Sequence, residues 1–276
     1  MSKPGSKYSL DYSAFDTSPT YEIGSLVFEA FKHWLIPSEA TTIDILSEVF
    51  FTIPLVLPWE VMSGRNGGVP SGSVFTNLFD SILNLLIGFY IAERLGVNLI
   101  DFEVMGDDSI YLFNIDPNPQ EMSECAAELG FVMNPEKQYI AEDAVHFLQR
   151  LHLREYNVNG LNVGMRSLQR SLTSATGYER LHRDWNEVKE SARLLMLMEN
   201  CSNHPLFSKY VEFMYFNAKD KVLLSGVDPV DIIRSLPVEE VLRTVGKASF
   251  VFNTANPSEV ESWKVVQEVR ILQKQT

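Results

Sequence analysis

The decapeptide Val104–Phe113, VMGDDSIYLF, constrains the fold more than any other stretch of the sequence. It places Gly106, Asp107 and Asp108 between two runs of apolar residues, a pattern typical of a β-hairpin. A turn can use glycine for positive φ and one aspartate to bond its own backbone. A second carboxylate about 4 Å away adds roughly 4 kcal/mol of repulsion at an effective dielectric near 20. The pair indicates a cation site, because Mg²⁺ prefers oxygen ligands, although a turn with two solvated acids is the alternative.

Composition sets broad limits on the class of protein. The chain has 276 residues with 45% hydrophobic and 21% charged side chains, which is typical of globular domains. Two cysteines argue against a disulfide framework, and neither a membrane span nor a secretion signal is expected. The net charge of −13 has the wrong sign for a protein that binds nucleic acid through its phosphates.

Periodicity and turn residues predict an α+β domain followed by an α domain. The predicted elements are a strand at 8–15, a helix capped by Ser18 and ended by Pro37, a helix at 73–95 closed by Gly96, the hairpin at 101–113, a helix opened by Asn118 and Pro119, and helices from about 178 onward.

Three motifs stand in a fixed order along the chain: Asp11-x4-Asp16, Ser71-Gly72-x3-Thr76 and Gly106-Asp107-Asp108. Together they resemble motifs A, B and C in the palm of viral RNA-dependent RNA polymerases. The sequence segments GVPSGSVFTNLFDSILN and GDDS are most similar to those in polymerases of the partitivirus and picobirnavirus-like group of double-stranded RNA viruses. Three ordered motifs are far more specific than any one of them.

The resemblance implies a two-metal active site. Asp11 and Asp107 match the carboxylates that hold two Mg²⁺ ions, for which Mn²⁺ is a possible substitute, and Asp108 matches a weaker neighbour. Two such ions stabilise both the attacking and the leaving oxygen of a phosphoryl displacement.

The resemblance also implies a nucleotide site made of Asp16, Ser71, Gly72, Thr76 and Asn84. Asp16 matches the acid that recognises the ribose 2′-OH, although it could instead cap the following helix. The family often has Asn four residues after the threonine, where this chain has Asp80. Asn84 is therefore the chosen substitute, with a buried polar group that bonds a neighbour as the alternative.

Further matches extend beyond the hairpin. Lys137 resembles the motif D lysine that protonates the pyrophosphate leaving group, and a solvated turn lysine is the alternative. Residues 147–150 resemble motif E, and Arg150, Arg154 and Arg166 are candidate RNA-binding residues. Salt bridges are the alternative for about half of a basic stretch that also includes Arg170, Arg180 and Arg183.

The fold implied by the resemblance is α+β: a palm with an RRM-like antiparallel sheet and helices on one face, followed by an α-helical thumb. The expected palm covers 1–155, with a partial fingers-type insertion at about 37–68, and the expected thumb covers 156–276. In complete polymerases a fingers domain precedes motif A and supplies basic residues that grip the triphosphate. Its absence from these residues would explain the −13 charge, and predicts a truncated or a split polymerase.

The expected partners are an RNA template and product strand, ribonucleoside triphosphates, a separate fingers-bearing polypeptide and a capsid protein. The expected location is the host cytoplasm or the virion interior. Two other functions stay open: a catalytically silent palm that binds RNA or protein, and a reverse-transcriptase-like palm.

Overall fold

The computed structural model describes residues 5–177, 185–218, 222–236 and 257–275. The chain divides into two compact units: unit 1 comprises Met1–Leu148 and His152–Asn157, and unit 2 comprises Gln149–Leu151 and Val158–Thr276. The division after Asn157 lies near the boundary expected at 155, and the names palm and thumb stay predictions.

Unit 1 is built on a four-stranded antiparallel sheet made of β1 (Lys7–Leu10), β5 (Leu99–Met105), β6 (Asp108–Phe113) and β8 (Tyr139–Ala141). Their order across the sheet is β5-β6-β1-β8. The first strand of the chain is thus central, with β6 on one side and β8 on the other. This order places segments far apart in sequence at one end of the sheet.

The predicted GDD hairpin is confirmed. β5 and β6 pair in antiparallel register from Leu99 opposite Phe113 to Met105 opposite Asp108. Gly106 adopts φ of 64° in the turn, a conformation that glycine reaches without a Cβ clash.

Four long helices complete unit 1: α1 (Tyr21–Lys32), α2 (Ala40–Thr52), α3 (Thr76–Leu95) and α4 (Pro119–Glu128). The predicted closure of α3 by Gly96 and the predicted start of α4 after Asn118 are confirmed. The predicted cap of the first helix is wrong. A short 3₁₀ turn at Phe15–Thr17 intervenes, so Thr20 caps α1 by accepting from the Ile23 N–H, and α1 ends at Lys32 instead of at Pro37.

Helix α3 packs closely on the sheet. Gly88 lies against Tyr111, and a Cβ at Gly88 would approach the ring Cζ to 2.7 Å. Tyr111 is fully buried, and its hydroxyl donates to the backbone carbonyl of Asn84 on the same helix at 2.7 Å. A residue without a side chain therefore allows the helix and β6 to approach each other.

Short strands and turns fill the remainder of unit 1. They are β2 (Tyr12–Ser13), β3 (Leu55–Val56), β4 (Val61–Met62), β7 (Val132–Met133), β9 (Ala144–Phe147) and part of β10 (Arg150–Leu153), with β11 (Asn157–Val158) divided between the units. β2 pairs with β7, and β3 pairs with β4.

Unit 2 is mainly helical and has its own apolar core. Its further elements are β12 (Leu161–Asn162), β13 (Met165–Arg166), α5 (Leu168–Thr176), α6 (Glu187–Glu199), α7 (Phe207–Asn217), α8 (Val222–Gly226), α9 (Pro229–Arg234) and α10 (Lys264–Gln273). Arg193 on α6 donates to the Ser174 and Ala175 carbonyls and pairs with Glu190, which joins α6 to the end of α5. Among the described helices, none is both long enough and apolar enough for a membrane span.

Candidate active site

The sheet brings motifs A and C to the same end. β1 ends at Leu10, which lies opposite Ser109 on β6, so Asp11 follows the strand where the GDD turn begins β6. The side chains of Asp11 and Asp107 are exposed and that of Asp108 is half-buried. Asp11 directly follows β1 and Asp107 directly precedes its neighbour β6, so the two exposed carboxylates lie at the same end of the sheet.

Helix α3 holds the GDD turn through three hydrogen bonds. The Gly106 N–H donates to the Ser81 hydroxyl at 2.8 Å, and the Asn84 Nδ2 donates to the Gly106 and Asp107 carbonyls at 3.1 and 2.9 Å. The Asn84 Oδ1 accepts from the Tyr111 hydroxyl at 2.9 Å. Asn84 is 0% exposed, so its side-chain amide is shielded from water, and these bonds fix the turn relative to the helix.

These contacts match the alternative reading of Asn84 as a buried polar group that bonds a neighbour. Its amide and its carbonyl both have partners within the protein. A nucleotide contact by Asn84 stays a prediction, and the contacts favour a positioning role.

The motif B loop is bonded to the segment after motif A. The Ser71 hydroxyl donates to the Asp16 carboxylate at 2.6 Å, and the Val69 N–H donates to the Asp16 carbonyl at 2.6 Å. Gly67 approaches the chain so closely that a Cβ would lie 2.6 Å from the Pro19 carbonyl oxygen, and its φ is 143°. Thr76 anchors the far side of the loop by donating to the Pro70 carbonyl at 2.8 Å, while Gly72 has open space around it. Motifs A and B therefore form one connected surface.

Asp80 occupies the place where the family often has Asn, and it is 4% exposed. Its Oδ1 accepts no hydrogen bond from the described residues. Burial, followed by the negative charges of Asp16 and Asp107, raises the pKa of Asp80 to about 7. Burial is the largest cause of this rise in pKa, and the smaller contributions of Asp16 and Asp107 show that the carboxylates of motifs A and C lie close enough to Asp80 to repel its charge.

Lys137 lies in a 3₁₀ turn, Pro135–Lys137, and is exposed. The adjacent Gln138 accepts from the Asp11 N–H at 3.0 Å and donates to the Asp11 carbonyl at 3.1 Å. These two hydrogen bonds hold the motif D turn beside the end of β1. A proton-donor role for Lys137 stays a prediction.

The three candidate RNA-binding arginines differ in their surroundings. Arg150 donates to the side-chain and backbone carbonyls of Asn200, and burial together with nearby Arg166 lowers its pKa. Arg154 is exposed and donates to the Glu142 carbonyl at 2.9 Å. The Arg166 Nε is buried and has no hydrogen-bond partner among the described residues.

Arg166 also lines a cavity of about 540 Å³ in unit 2, together with Arg170, Ser167 and Ser174. Two cations and several hydroxyl groups suit a phosphate group. Arg180 and Arg183, which belong to the same basic stretch, lie outside the described residues.

The carboxylate oxygens of motifs A and C are suitable ligands for Mg²⁺, although these side chains do not surround a single ion position in the structure. Among the described ranges, no three His, Cys, Asp or Glu side chains are grouped closely enough to hold a metal ion. Asp11 and Asp107 are exposed carboxylates at one end of the sheet, and Asp107 and Asp16 add to the rise in the pKa of Asp80 that burial mainly causes. Hard oxygen ligands with excess negative charge are what Mg²⁺ requires, and Mg²⁺ commonly keeps several waters.

Sequence reasoning missed three residues that support the site: Ser81, Tyr111 and Gln138. Ser81 and Asn84 are three residues apart and therefore share a face of α3, which is a usable signal. Tyr111 and Gln138 gave no such signal, because their partners are more than 25 residues away in sequence.

Comparison with known protein families identifies the class of protein to which this chain belongs. The family model of viral RNA-dependent RNA polymerases matches residues 1–215, and the chain belongs to this family. The match includes the sheet end, the motif B loop and the GDD turn described above.

Two individual viral proteins are similar to parts of this chain. A protein of human picobirnavirus (strain Human/Thailand/Hy005102/-), named as a potential RNA-dependent RNA polymerase, is 28% identical over 209 residues, which is 74% of this chain and 39% of that protein. The RNA-directed RNA polymerase of Cryptosporidium parvum virus 1 (strain KSU-1) is 31% identical over 142 residues, 47% of this chain and 26% of that protein.

Solved structures agree on the fold. The crystal structure of a human picobirnavirus RNA-dependent RNA polymerase is similar with a TM-score of 0.81 at 24% identity, covering 97% of this chain and 51% of that one. An insertion-loop deletion mutant gives a TM-score of 0.79. The chain thus spans about half, or less, of the length of these relatives.

Proposed function

We propose that this chain is the palm and thumb portion of an RNA-directed RNA polymerase. The reaction forms a bond between the 3′-oxygen of an RNA strand and the α-phosphorus of a ribonucleoside triphosphate, and breaks the bond to the β-phosphate, so that pyrophosphate leaves. The observation that carries the proposal is the sheet order β5-β6-β1-β8, which assembles motifs A, C and D at one end.

Asp11 and Asp107, with Asp108 beside them, would hold the metal ions. Two Mg²⁺ ions would neutralise charge on the attacking and leaving oxygens. The exposed position of both acids after their strands suits a ligand that approaches from solvent. Mn²⁺ would serve as a substitute, because it accepts the same oxygen ligands.

Ribose recognition would come from Asp16. Ser71 donates to the Asp16 Oδ2, which orients the carboxylate and leaves its other oxygen to accept from a ribose 2′-OH. Thr76 and Gly72 would shape the loop beside the base pair. Asn84 would hold the GDD turn, since its side chain is already bonded there.

Lys137 would act as general acid for the pyrophosphate, because the Gln138 clamp keeps it near Asp11. A general acid of this kind typically contributes about 10²–10⁴-fold. Arg166, and to a lesser extent Arg150 and Arg154, would contact the phosphates of the RNA strands. The chain would act in the host cytoplasm or the virion interior, with a capsid protein as a further partner.

Primer extension tests the proposal. The chain is assayed with an RNA primer and template, ribonucleoside triphosphates and Mg²⁺ or Mn²⁺, with and without a polypeptide that carries the fingers part. Synthesis that requires this second polypeptide is the expected result. Full activity of the isolated chain would remove the need for a partner. A preference for deoxynucleotides would favour a reverse-transcriptase-like palm, and no synthesis in any combination would favour the silent palm.

A further inference from the structure

Arg65 lies just before the motif B loop, and its side chain is half-buried. Its Nη2 donates to the Gly67 and Gly68 carbonyls at 2.9 Å each, and its Nη1 donates to the Ile53 carbonyl at 3.1 Å. Acids outnumber lysines and arginines by 36 to 23 in this chain, yet no carboxylate among the described residues forms an ion pair with Arg65. The guanidinium is used to hold backbone carbonyls.

Two successive glycines bring neighbouring carbonyls to one nitrogen atom. Gly67 has a φ of 143° and Gly68 a φ of 70°, both in the region that glycine adopts without strain. This backbone turns the two carbonyl oxygens toward the same Nη2 of Arg65. Both glycines are half-buried, and a carbonyl that is shielded from water needs a donor within the protein. The conformation of the glycine pair therefore depends on the guanidinium.

The backbone of the same loop is bonded to the segment after motif A. The Gly68 N–H donates to the Pro19 carbonyl at 2.8 Å, and the Val69 N–H donates to the Asp16 carbonyl at 2.6 Å. Ser71, two residues further on, donates to the Asp16 carboxylate at 2.6 Å. The guanidinium thus holds the carbonyl side of a loop whose amide side is bonded to motif A.

The third bond of Arg65 connects the loop to α2. Ile53 is the cap residue at the C-terminal end of this helix, which is anchored by the buried Phe50 and Phe51. A helix C-terminus has unpaired carbonyls and a partial negative charge, so it favours a cation. A planar guanidinium reaches carbonyls on two sides through its two Nη atoms, whereas a lysine ammonium is a single point donor. The position therefore requires arginine and not only a positive charge.

Resting on the proposed function, we propose that Arg65 is a positioning residue for ribose selection. It holds the motif B loop so that Ser71 keeps the Asp16 carboxylate oriented for the ribose 2′-OH. In this role Arg65 acts through the loop and not by contact with the nucleotide. Because only a ribonucleotide has the 2′-OH, a disturbed Arg65 lowers the use of ribonucleotides more than the use of deoxynucleotides.

Amide hydrogen exchange tests the positioning in the isolated chain, without nucleotide or RNA. Arg65→Lys keeps the charge but loses the planar fork. The Gly68 and Val69 amides are expected to exchange about tenfold faster in this variant, because local opening of the loop becomes easier. The Gly106 amide, which is bonded on α3, should keep its exchange rate. Circular dichroism confirms that the variant is folded.

Arg94→Lys is the matched control. Arg94 lies in the same unit and pairs with the Glu128 carboxylate at 2.7 Å, an interaction that a lysine can also make. This variant should leave the exchange of Gly68 and Val69 unchanged.

Primer extension with the fingers-bearing polypeptide tests the effect on selection, by comparing kcat/KM for ATP and for 2′-deoxyATP. Arg65→Lys is expected to lower the preference for ATP about fivefold, through a loss for ATP alone, since the weakened contact is one hydrogen bond. A merely structural defect would lower both values equally. Added to Asp16→Ala, Arg65→Lys should cause no further loss of preference, because both changes act on the same contact.

Unchanged exchange of the Gly68 and Val69 amides in Arg65→Lys would overturn the proposal. An equal loss for ATP and 2′-deoxyATP, or an additive loss of preference in the double variant, would overturn it as well. Failure of the unmodified chain to synthesise RNA would contradict the proposed function alone, and the exchange measurement would still decide whether Arg65 holds the loop.

Discussion

Helices α2 and α3 belong to the same unit, yet they relate to their surroundings in opposite ways. α3 buries one face against the sheet, and its polar side chains Ser81 and Asn84 bond the GDD turn. α2 also buries one face but exposes a second apolar stripe, followed by an exposed hairpin. The polar side chains of α3 have their partners within the described residues, whereas the second apolar stripe of α2 is exposed there. The difference shows that α3 is held by contacts on both its apolar and its polar side, while α2 is held on one side only.

The largest effect is expected at the site itself. Asp107→Asn should lower RNA synthesis by at least 100-fold in the assay with the fingers-bearing polypeptide, because a metal ion contributes several kcal/mol of charge stabilisation. The fold should remain, since the Asp107 side chain is exposed. Near-normal synthesis by this variant would show that the carboxylate is not part of the catalytic centre.

The second-largest effect is expected on folding stability, through the hydrogen bonds from α3 to the GDD turn. Asn84→Ala should lower the free energy of unfolding by about 3 kcal/mol, because it leaves the Gly106 and Asp107 carbonyls without the side-chain amide that donates to both. Urea denaturation measures the change. Asn77→Ala, an exposed position on the same helix, is the control and should change stability by less than about 0.5 kcal/mol. Equal effects of the two variants would mean that the bonds to the turn contribute little.

The third effect depends on pH. The pKa of Asp80 is raised from 3.8 to about 7 in the folded chain, first by burial and then by Asp16 and Asp107. The folded chain therefore holds this proton where the unfolded chain releases it, so the contribution of Asp80 to stability is full below about pH 4 and falls as the pH rises to about 7.

Asp80→Asn should remove this loss and become more stable than the unmodified chain by about 2 kcal/mol at pH 7, with no advantage at pH 4. Unfolding in EDTA at a series of pH values gives the measurement. Asp101→Asn, at an exposed position on β5, serves as the control. A constant difference across the pH range would show that Asp80 does not titrate in this window.

The smallest effect is expected on the α2 side. Trp59→Ala should change the free energy of unfolding of the isolated chain by less than about 0.5 kcal/mol, because the side chain is 96% exposed. Thermal unfolding checks this. A loss of 2 kcal/mol or more would mean that Trp59 packs within the chain, and the hairpin that follows α2 would then be less exposed than the structure indicates.

Sequence patterns predicted the parts of the fold that depend on local signals. The hairpin followed from glycine between apolar strands, and the ends of α3 and α4 followed from Gly96 and Asn118. The cap of α1 was wrong because Ser18 and Thr20 are both suitable capping residues, and the intervening 3₁₀ turn decides between them. Local propensity does not contain that information.

The candidate site was predictable as a set of residues but not as an arrangement. Asp11, Asp16 and Asp107 carry recognisable motifs, while the burial of Asp80 and Arg150 depends on distant packing. The exposed stripe on α2 could not be distinguished from core by periodicity, because an apolar residue in sequence gives no sign of which partner covers it.

The most direct measurement is Mn²⁺ binding to the isolated chain, followed by electron paramagnetic resonance, since it needs neither a fingers domain nor RNA. The account predicts that Asp11→Asn and Asp107→Asn each weaken Mn²⁺ binding at least tenfold, while Asp101→Asn leaves it unchanged. Binding that is equally strong in all three variants would contradict the claim that motifs A and C share a metal site.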